Sequence, residues 1–331
     1  AMASQVFQMI YMDEHEIDEE RRKFAETSKY IQENPDLKFQ DDLPVTRGLF
    51  WLPYHGRDDD KELLQQFWNS VANNSDIKKT TLIAKNSCKS KPENSPIKIG
   101  ILTNFWGKEH PVNLHSSGII NHLVNTDIEV VLIAGQGVSQ KDQYEIASRY
   151  ETTVIRLTQN FRRNCKIISE INLDLLLYPD IGMSSDTYIL GLARLAPVQA
   201  VMAGHPCSTG LKEIDYFISS ELLEREDSQK NYSEQIIKFR KMPSCMTMNY
   251  TPPSKDSEHV RKLNNDSITI GVIHSIFKLT PEFDEVLKQV LGIDDKIDLI
   301  MFDTHPYLTQ KIRARWHKGS QKLIDKVRFI P

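Results

Sequence analysis

Two histidines, His110 and His115, lie in a stretch predicted to connect a buried strand to a helix. The strand is the apolar run at residues 97–102, and the helix is predicted from about residue 116 to 124. An imidazole at a helix N-terminus tends to stay neutral, because the positive end of the helix dipole disfavours the imidazolium. A neutral imidazole can act as a base or donate a hydrogen bond. The same pair could instead serve only the local structure, and the residues alone leave both roles open.

A second group of candidate residues follows two further strands. Residues 173–177 and 198–203 are apolar runs typical of strands buried on both faces, and a helix is predicted between them at 187–194, ended by Pro197. Residues 178–182 follow the first of these strands, and a glycine-rich loop at 204–210 follows the second. Loops at the carboxyl ends of parallel strands line the ligand crevice of α/β sheets, so we expect both loops to lie at one edge.

The elements that carry these loops alternate between strand and helix. Strands are predicted at 129–134 and 153–157, and helices at 140–150 and 162–171. This alternation predicts a parallel sheet with right-handed crossovers, a Rossmann-like domain. No GxGxxG pattern follows the first strand, so a dinucleotide fingerprint is absent.

A second sheet of the same type is predicted near the end of the chain. A strand at 267–273 leads into a helix ending near 291, and a strand at 298–302 leads into a helix ending near 318. A last strand is predicted at 326–330. The segment 251–266 contains a proline- and serine-rich stretch, which indicates a linker before this second domain.

Composition narrows the class of protein. A chain of 331 residues with 40% hydrophobic and 26% charged residues is typical of a globular protein with two domains. A net charge of -4 argues against a nucleic-acid partner. The 4 cysteines have no CxxC spacing, which indicates neither a zinc site nor a disulfide framework and favours the cytoplasm. No run of about 18 apolar residues predicts a membrane span.

The first 95 residues are predicted to form a helical N-terminal appendage and linker. An aromatic patch at 49–54 lies inside this region, and a lysine-, serine- and proline-rich stretch at 85–96 is the linker. The patch could pack on the main body or serve as a docking surface for another protein, and packing is favoured because exposed aromatic clusters are uncommon. The predicted domains are therefore 1–95, 96–250, a linker at 251–266, and 267–331.

Several motifs across residues 97–331 resemble glycosyltransferase family 41. RLAPVQA, GHPCSTG and IDYFISS occur in order, and YSE and MP follow at 232–234 and 242–243. The family contains the O-linked N-acetylglucosamine transferases and the bacterial cytoplasmic N-glucosyltransferases that modify high-molecular-weight adhesins. The resemblance implies an α/β fold of the GT-B type, with twin Rossmann-like domains after a helical N-terminal region. The second domain is expected to be truncated, because the family's uridine-binding segment has no counterpart here.

The resemblance also implies which residues act. His115 takes the position of the histidine proposed to act on the acceptor side, and His110 with the following proline matches a histidine-proline pair of the O-linked branch. Gly204, His205 and Pro206 belong to the sugar-facing loop. The list of expected donor contacts is completed by Lys278 and Ser275.

Lys278 is expected to contact the donor diphosphate. It precedes the predicted helix after strand 267–273, and a lysine there adds its charge to the positive end of the helix dipole. No metal and no cofactor are expected, since no DxD pair stands at a strand end and the lysine can stabilise the leaving diphosphate instead. We expect this lysine and the three histidines to line one crevice between the domains.

The implied function is transfer of a hexose from a UDP-sugar to an asparagine side chain of an acceptor protein, adhesin-like or other. GHP followed by small and hydroxyl residues is more similar to the N-linked branch than to the GYPGTSG of the O-linked one. Transfer of (N-acetyl)glucosamine to serine or threonine is the alternative within the family. Two further alternatives are a non-catalytic subunit that binds a partner transferase and a sugar-nucleotide epimerase. The expected gap in the donor site predicts weak UDP binding.

Overall fold

The computed structural model describes residues 7–39, 48–87, 95–107, 110–202, 204–246, 267–303 and 305–330. The chain divides into two compact units. The first unit contains the described residues within 24–50 and 57–249, and the second contains those within 5–23, 51–56 and 250–331. The N-terminal region therefore supplies segments to both units. The predicted linker at 251–266 lies outside the described residues.

The N-terminal region is helical, as predicted. It contains α1 (Glu14–Glu33), a 3-10 helix (Leu49–His55), α2 (Asp60–Ala72) and α3 (Ser75–Ser87). Helix α2 forms because its apolar residues recur on one face, which is buried: Leu63, Leu64, Phe67, Trp68 and Val71. Helix α3 was not predicted, and it includes the first residues of the expected linker at 85–96. Its composition is polar, and only a narrow stripe of three residues is buried.

The first unit is built on a parallel sheet of seven strands among the described residues. In chain order they are β1 (Lys98–Thr103), β2 (Glu129–Ala134), β3 (Val154–Arg156), β4 (Leu175–Tyr178), β5 (Val198–Met202), β6 (Tyr216–Ser220) and β7 (Gln235–Phe239). Their order across the sheet is β3-β2-β1-β4-β5-β6-β7. The strand order reverses between β1 and β4, so the carboxyl ends of these two strands form the place where such sheets bind ligands.

Four helices connect the strands up to β5. They are α4 (Pro111–Leu123), α5 (Gln140–Tyr150), α6 (Phe161–Glu170) and α7 (Ser185–Leu190). The core between sheet and helices includes fully buried side chains of the central strands, such as Ile101 and Leu132. Strands β6 and β7 were not predicted. Strand β7 alternates between exposed and half-buried residues instead of forming an apolar run.

Helix α4 begins earlier than the sequence predicted. It starts at Pro111, because proline suits the first turn and the His110 side chain caps the helix by accepting from the Val112 N–H. His115 was expected in the loop before this helix, and it lies within the helix instead. The predicted loop therefore ends at His110.

In the described part of the second unit, three strands form a parallel sheet in the order β10-β9-β8. The strands are β8 (Ile268–Val272), β9 (Ile297–Phe302) and β10 (Val327–Ile330), and the helices are α8 (Pro281–Ile293), α9 (Pro306–Gly319) and α10 (Gln321–Lys326). Its core gathers Leu299, Ile312 and Leu323, all fully buried, together with Ile10 from the N-terminal segment. Helix α10 was not predicted.

The expected fold class is confirmed: an α/β protein with two Rossmann-like sheets and a helical N-terminal region. The domain boundaries proposed above stay a prediction. No described helix has both the length and the apolar composition that crossing a membrane requires.

Candidate functional site

A small pocket lies at the carboxyl edge of the first sheet. Its volume is about 120 Å³, and His115 contributes to its wall from the second turn of α4. His115 is half-buried, and it is reachable from the pocket that it lines. The other lining residues are mostly apolar and come from α4, the end of β5, the strand-end loops and the segment after β7: Pro111, Val112, Ser116, Pro179, Met183, Met202, Gly204, Leu223, Met242, Pro243 and Ser244.

The loops after β4 and β5 approach each other closely at this pocket. A Cβ atom on Gly204 would lie 1.9 Å from the carbonyl oxygen of Pro179, a distance at which no side chain fits. Glycine is therefore required at this position. The glycine-rich sequence after β5 lets the two loops meet, and both contribute to the pocket that His115 lines.

The wall of the pocket after β7 is fixed to α4 by backbone hydrogen bonds. The Gly118 N–H donates to the carbonyl of Cys245 at 3.0 Å, and the Cys245 N–H donates to the carbonyl of His115 at 3.3 Å. A Cβ on Gly118 would lie 2.1 Å from that Cys245 oxygen. Glycine at this helix position thus allows the segment that carries Met242 and Pro243 to lie directly against the helix of His115.

His110 has a structural task at the start of α4. Its Nδ1 accepts from the Val112 N–H at 3.3 Å, and its ring stacks on Phe105 with centroids 4.1 Å apart. Burial lowers the pKa of His110, which favours the neutral imidazole that this acceptor role requires. His110 is not among the residues that line the pocket of His115.

His205 is enclosed within its loop and is only 3% exposed. Its Nε2 donates to the Phe50 carbonyl at 3.1 Å, and its Nδ1 lies 3.4 Å from the Cys207 thiol. Burial lowers the pKa of His205 to about 4, so the ring is neutral at physiological pH. Both ring nitrogens are engaged inside the protein, which makes the side chain a support of the loop.

Glu234, the residue before β7, anchors the same loop. It is 1% exposed, and its carboxylate accepts from the Ser208 hydroxyl at 2.8 Å and from the Thr209 N–H at 2.9 Å. Glu234 is the glutamate of the motif YSE, for which no role was predicted. A buried carboxylate bound to the glycine-rich loop holds that loop at the pocket.

Asp180 is buried at the point where the strand order reverses. The carboxyl group is fully buried, and its Oδ2 accepts from the Asn104 N–H at 3.1 Å. Among the described residues, its Oδ1 has no hydrogen-bond partner. Burial raises the pKa of Asp180 to about 7. This titratable group was present in the predicted loop 178–182 but was not singled out, because its burial depends on β1 and β5.

Two residues of the motif RLAPVQA support the fold. Arg194 pairs with Glu213 at 2.9 Å and with Asp215 at 2.5 Å. Gln199 is fully buried, and its side chain donates to the Glu213 carbonyl at 2.7 Å and accepts from the Leu195 N–H at 3.1 Å. These contacts connect β5 to the segment that precedes β6.

The second unit presents Lys278 at the carboxyl end of β8. Ser275 precedes a short 3-10 helix, Ile276–Lys278, and both Ser275 and Lys278 are exposed. Pro281 begins α8, and the Thr280 hydroxyl caps it by accepting from the Phe283 N–H at 3.3 Å. Lys278 therefore stands just before the positive end of a helix, as the sequence predicted.

The described residues contain no group of three histidine, cysteine, aspartate or glutamate side chains that could hold a metal ion.

The known proteins to which the chain is similar are named as glycosyltransferases that act on a protein or peptide. No profile of a known protein family matches the chain. A UDP-glucose:protein N-beta-glucosyltransferase of Actinobacillus pleuropneumoniae serotype 5b (strain L20) is 25% identical over 235 residues, which cover 67% of this chain and 36% of the relative. A probable UDP-N-acetylglucosamine--peptide N-acetylglucosaminyltransferase SPINDLY of Eustoma exaltatum subsp. russellianum is 26% identical over 164 residues, covering 49% of this chain and 17% of the relative.

The resemblance to glycosyltransferase family 41 is confirmed. The matched regions span about a third or less of the length of these relatives. A solved structure of a mutant O-GlcNAc transferase from Thermobaculum terrenum matches 96% of this chain and 61% of its own, with a TM-score of 0.58 at 13% identity, which shows a likeness of fold.

The first unit brings together part of the expected family-41 site. His115 and Gly204 line one pocket, while His110 caps α4 and His205 supports its loop. Lys278 and Ser275 belong to the second unit. The roles of all these residues, that of Pro206 and the shared crevice stay predictions.

Proposed function

We propose that this chain forms part of a protein glycosyltransferase that transfers a hexose from a UDP-sugar to an asparagine side chain of an acceptor polypeptide. One observation carries the proposal: His115 and Gly204 line the same pocket at the carboxyl edge of a parallel sheet. The names of the relatives support the reaction class, since both describe transfer from a UDP-sugar to a protein or peptide.

In the proposed reaction the bond between the sugar C1 and the diphosphate oxygen breaks, and a bond between C1 and the acceptor nitrogen forms. UDP leaves with the electron pair of the broken bond, and the acceptor nitrogen loses one proton. His115 is the group that orients the acceptor or takes this proton, because its imidazole is half-buried in the pocket wall.

Lys278 and the backbone amides at the start of α8 are proposed to stabilise the negative charge on the departing UDP. A lysine beside a helix N-terminus attracts a phosphate group through its own charge and through the helix dipole. This interaction strengthens as charge develops on the leaving group, so it would favour the transition state over the bound donor. The proposal needs no metal and no cofactor.

The choice of asparagine rests on two supports. The residues His205, Pro206, Cys207 and Ser208 resemble the loop of the N-linked branch. The match to the N-beta-glucosyltransferase covers 235 residues, against 164 for the SPINDLY relative. The second candidate is transfer of (N-acetyl)glucosamine to serine or threonine, which the SPINDLY relatives favour. The acceptor is proposed to be a cytoplasmic polypeptide, adhesin-like or other.

The test is a transfer assay with the natural protein, UDP-glucose or UDP-N-acetylglucosamine, and peptides that differ only in one Asn, Gln, Ser or Thr. Mass spectrometry measures the added hexose. Transfer to the asparagine peptide is expected, and His115→Ala should lower it by about 10²-fold, the usual effect of losing a positioned acid or base. UDP affinity should stay nearly unchanged.

His122→Ala is the matched control, because His122 is an exposed histidine near the end of the same helix. It should transfer at the native rate. Transfer to the serine peptide alone would favour the O-linked candidate. Native transfer by His115→Ala, or no transfer from either donor, would favour a non-catalytic subunit.

A further inference from the structure

The second unit places an aromatic ring against the proposed diphosphate lysine. The Nζ of Lys278 lies 5.1 Å from the ring centroid of Tyr54, within the range of a cation–π contact. The same ring lies 5.3 Å from the ring of Phe277, the residue before the lysine. Tyr54 therefore contacts both the side chain of Lys278 and the turn that carries it, although they are more than two hundred positions apart in sequence.

Tyr54 is held in place by its own neighbours. His55 is only 2% exposed, and its Nε2 lies 3.0 Å from the Tyr11 hydroxyl. That hydroxyl also donates to the Glu20 carboxylate at 2.6 Å. Trp51 packs edge-on against Phe277, with centroids 4.6 Å apart. The 3-10 helix that carries Tyr54 therefore has contacts on both sides of Tyr54 that do not involve the Lys278 side chain.

The turn that carries Lys278 is fixed as well. Arg315, which is 5% exposed, donates to the carbonyl of Leu279 at 3.0 Å and to the Asp284 carboxylate at 2.8 Å. Leu279 is itself buried. The backbone on either side of the ammonium contact is therefore held by hydrogen bonds and packing, while the four-carbon lysine side chain has rotatable bonds of its own.

We propose that Tyr54 is a positioning residue of the donor site, whose ring face holds the Lys278 ammonium before the start of α8 for the diphosphate. The proposal rests on the proposed donor role of Lys278. A free lysine side chain loses rotamer entropy when it binds a phosphate, and an ammonium already held against a ring loses less. The ring face leaves N–H groups of the ammonium on its other side for phosphate oxygens. The N-terminal region would then contribute directly to donor recognition.

The test measures UDP binding to the whole chain by titration to millimolar concentrations. Tyr54→Leu removes the ring face and should weaken binding by about two- to fivefold, the range of a cation–π contact at an exposed site. Tyr54→Phe keeps the ring face and should bind as the native chain does. Lys278→Ala should weaken binding more than Tyr54→Leu. In the Lys278→Ala background, Tyr54→Leu should have no further effect, because the ring has no ammonium to hold.

A matched control removes another cation–π contact from the same unit. Arg313 lies 4.9 Å from the ring centroid of Phe329, so Phe329→Leu loses such a contact without touching Lys278. It should leave UDP affinity unchanged, and circular dichroism checks that each variant is folded.

The outcomes separate the proposal from the function on which it rests. If the native chain does not bind UDP, or Lys278→Ala binds it as well as the native chain, the donor role of Lys278 is wrong and the proposal fails with it. If Lys278→Ala weakens binding but Tyr54→Leu does not, only the role of Tyr54 is wrong. An equal effect of Tyr54→Leu with and without Lys278 would also overturn it, because the ring would then act through packing alone.

Discussion

Replacement of Arg315 by alanine should destabilise the second unit by about 3–5 kcal/mol, the usual cost of breaking a buried ion pair. Arg315 is 5% exposed and Asp284 is 6% exposed. The pair is bidentate, with N···O distances of 2.8 and 2.7 Å. The alanine variant leaves a buried carboxylate without its cation.

The backbone contacts of the guanidinium add to this cost. It donates to the carbonyl of Tyr11 at 2.9 Å and to that of Leu279 at 3.0 Å. Each buried carbonyl that loses its donor costs about 1–3 kcal/mol, although water entering the space left by the side chain will recover part of this. With that recovery, we expect the loss to lie at the upper end of the range of about 3–5 kcal/mol for a buried pair.

The assay is hydrogen exchange of backbone amides, measured by mass spectrometry across a urea series. Because the chain divides into two compact units, a single midpoint does not describe its unfolding. Peptides from residues 281–330 report on the second unit, and peptides from residues 98–202 report on the first. Arg315→Ala should increase exchange in the former group and leave the latter unchanged.

Two comparisons make the result decisive. Glu285→Ala breaks the ion pair of an exposed glutamate with the half-buried Lys288 on the same helix α8 and should cost less than about 1 kcal/mol. The double variant Arg315→Met with Asp284→Leu removes both charges and should regain the part of the loss that comes from the unpaired carboxylate, while the carbonyls of Tyr11 and Leu279 stay without their donor. If Arg315→Ala costs no more than Glu285→Ala, or if exchange rises equally in both groups of peptides, Arg315 does not stabilise the second unit through a buried pair.

Three further predictions concern the first unit. Gly118→Ala should lower transfer activity by displacing Cys245 and the pocket wall, even though alanine favours a helix over glycine by about 1 kcal/mol. The folded pKa of Asp180, about 7, exceeds the unfolded value of 3.8, so the unfolding free energy of the native chain should fall as the pH rises from about 4 to 7. Asp180→Asn does not titrate, and this fall should be absent in the variant. Glu234→Ala should cost more than about 2 kcal/mol of unfolding free energy, since it leaves buried donors of the glycine-rich loop without an acceptor.

Each of these has a measurement that can contradict it. Native transfer by Gly118→Ala would mean that the contact with Cys245 does not shape the site. For Asp180→Asn, urea denaturation at several pH values is compared with the native chain, and an identical slope between pH 4 and 7 would refute the assignment. For Glu234→Ala the control is Glu221→Ala, an exposed glutamate, and equal costs for the two variants would contradict the anchoring role.

Much of the sheet could be predicted from local sequence. Strands β1, β2, β4 and β5 are mostly buried, so most of their residues are apolar and the run itself identifies them. Strand β7 escaped prediction because it borders only β6, and its exposed and half-buried residues leave no apolar run. Helix α4 was predicted too short, because its first turn depends on capping by His110.

The candidate site was predicted less completely. The sequence identified His115, Gly204 and Lys278 by their motifs, and His115 and Gly204 do line one pocket. It also selected His205, whose ring is engaged within the protein, and passed over Asp180, Glu234, Tyr54 and Arg315. Histidines are recognised from sequence by type, but their solvent access is decided by residues elsewhere in the chain, such as Phe50 for His205.

By itself, the sequence determined most of the strands and helices, the parallel α/β class and the resemblance to family 41, because these depend on local periodicity and on short motifs. Only the tertiary structure decided which side chains are buried and what they contact. The contact of Tyr54 with Lys278 and the pairing of Arg315 with Asp284 join residues far apart in the chain. Their energies depend on burial and distance, and neither quantity is encoded in the spacing of residues along the sequence.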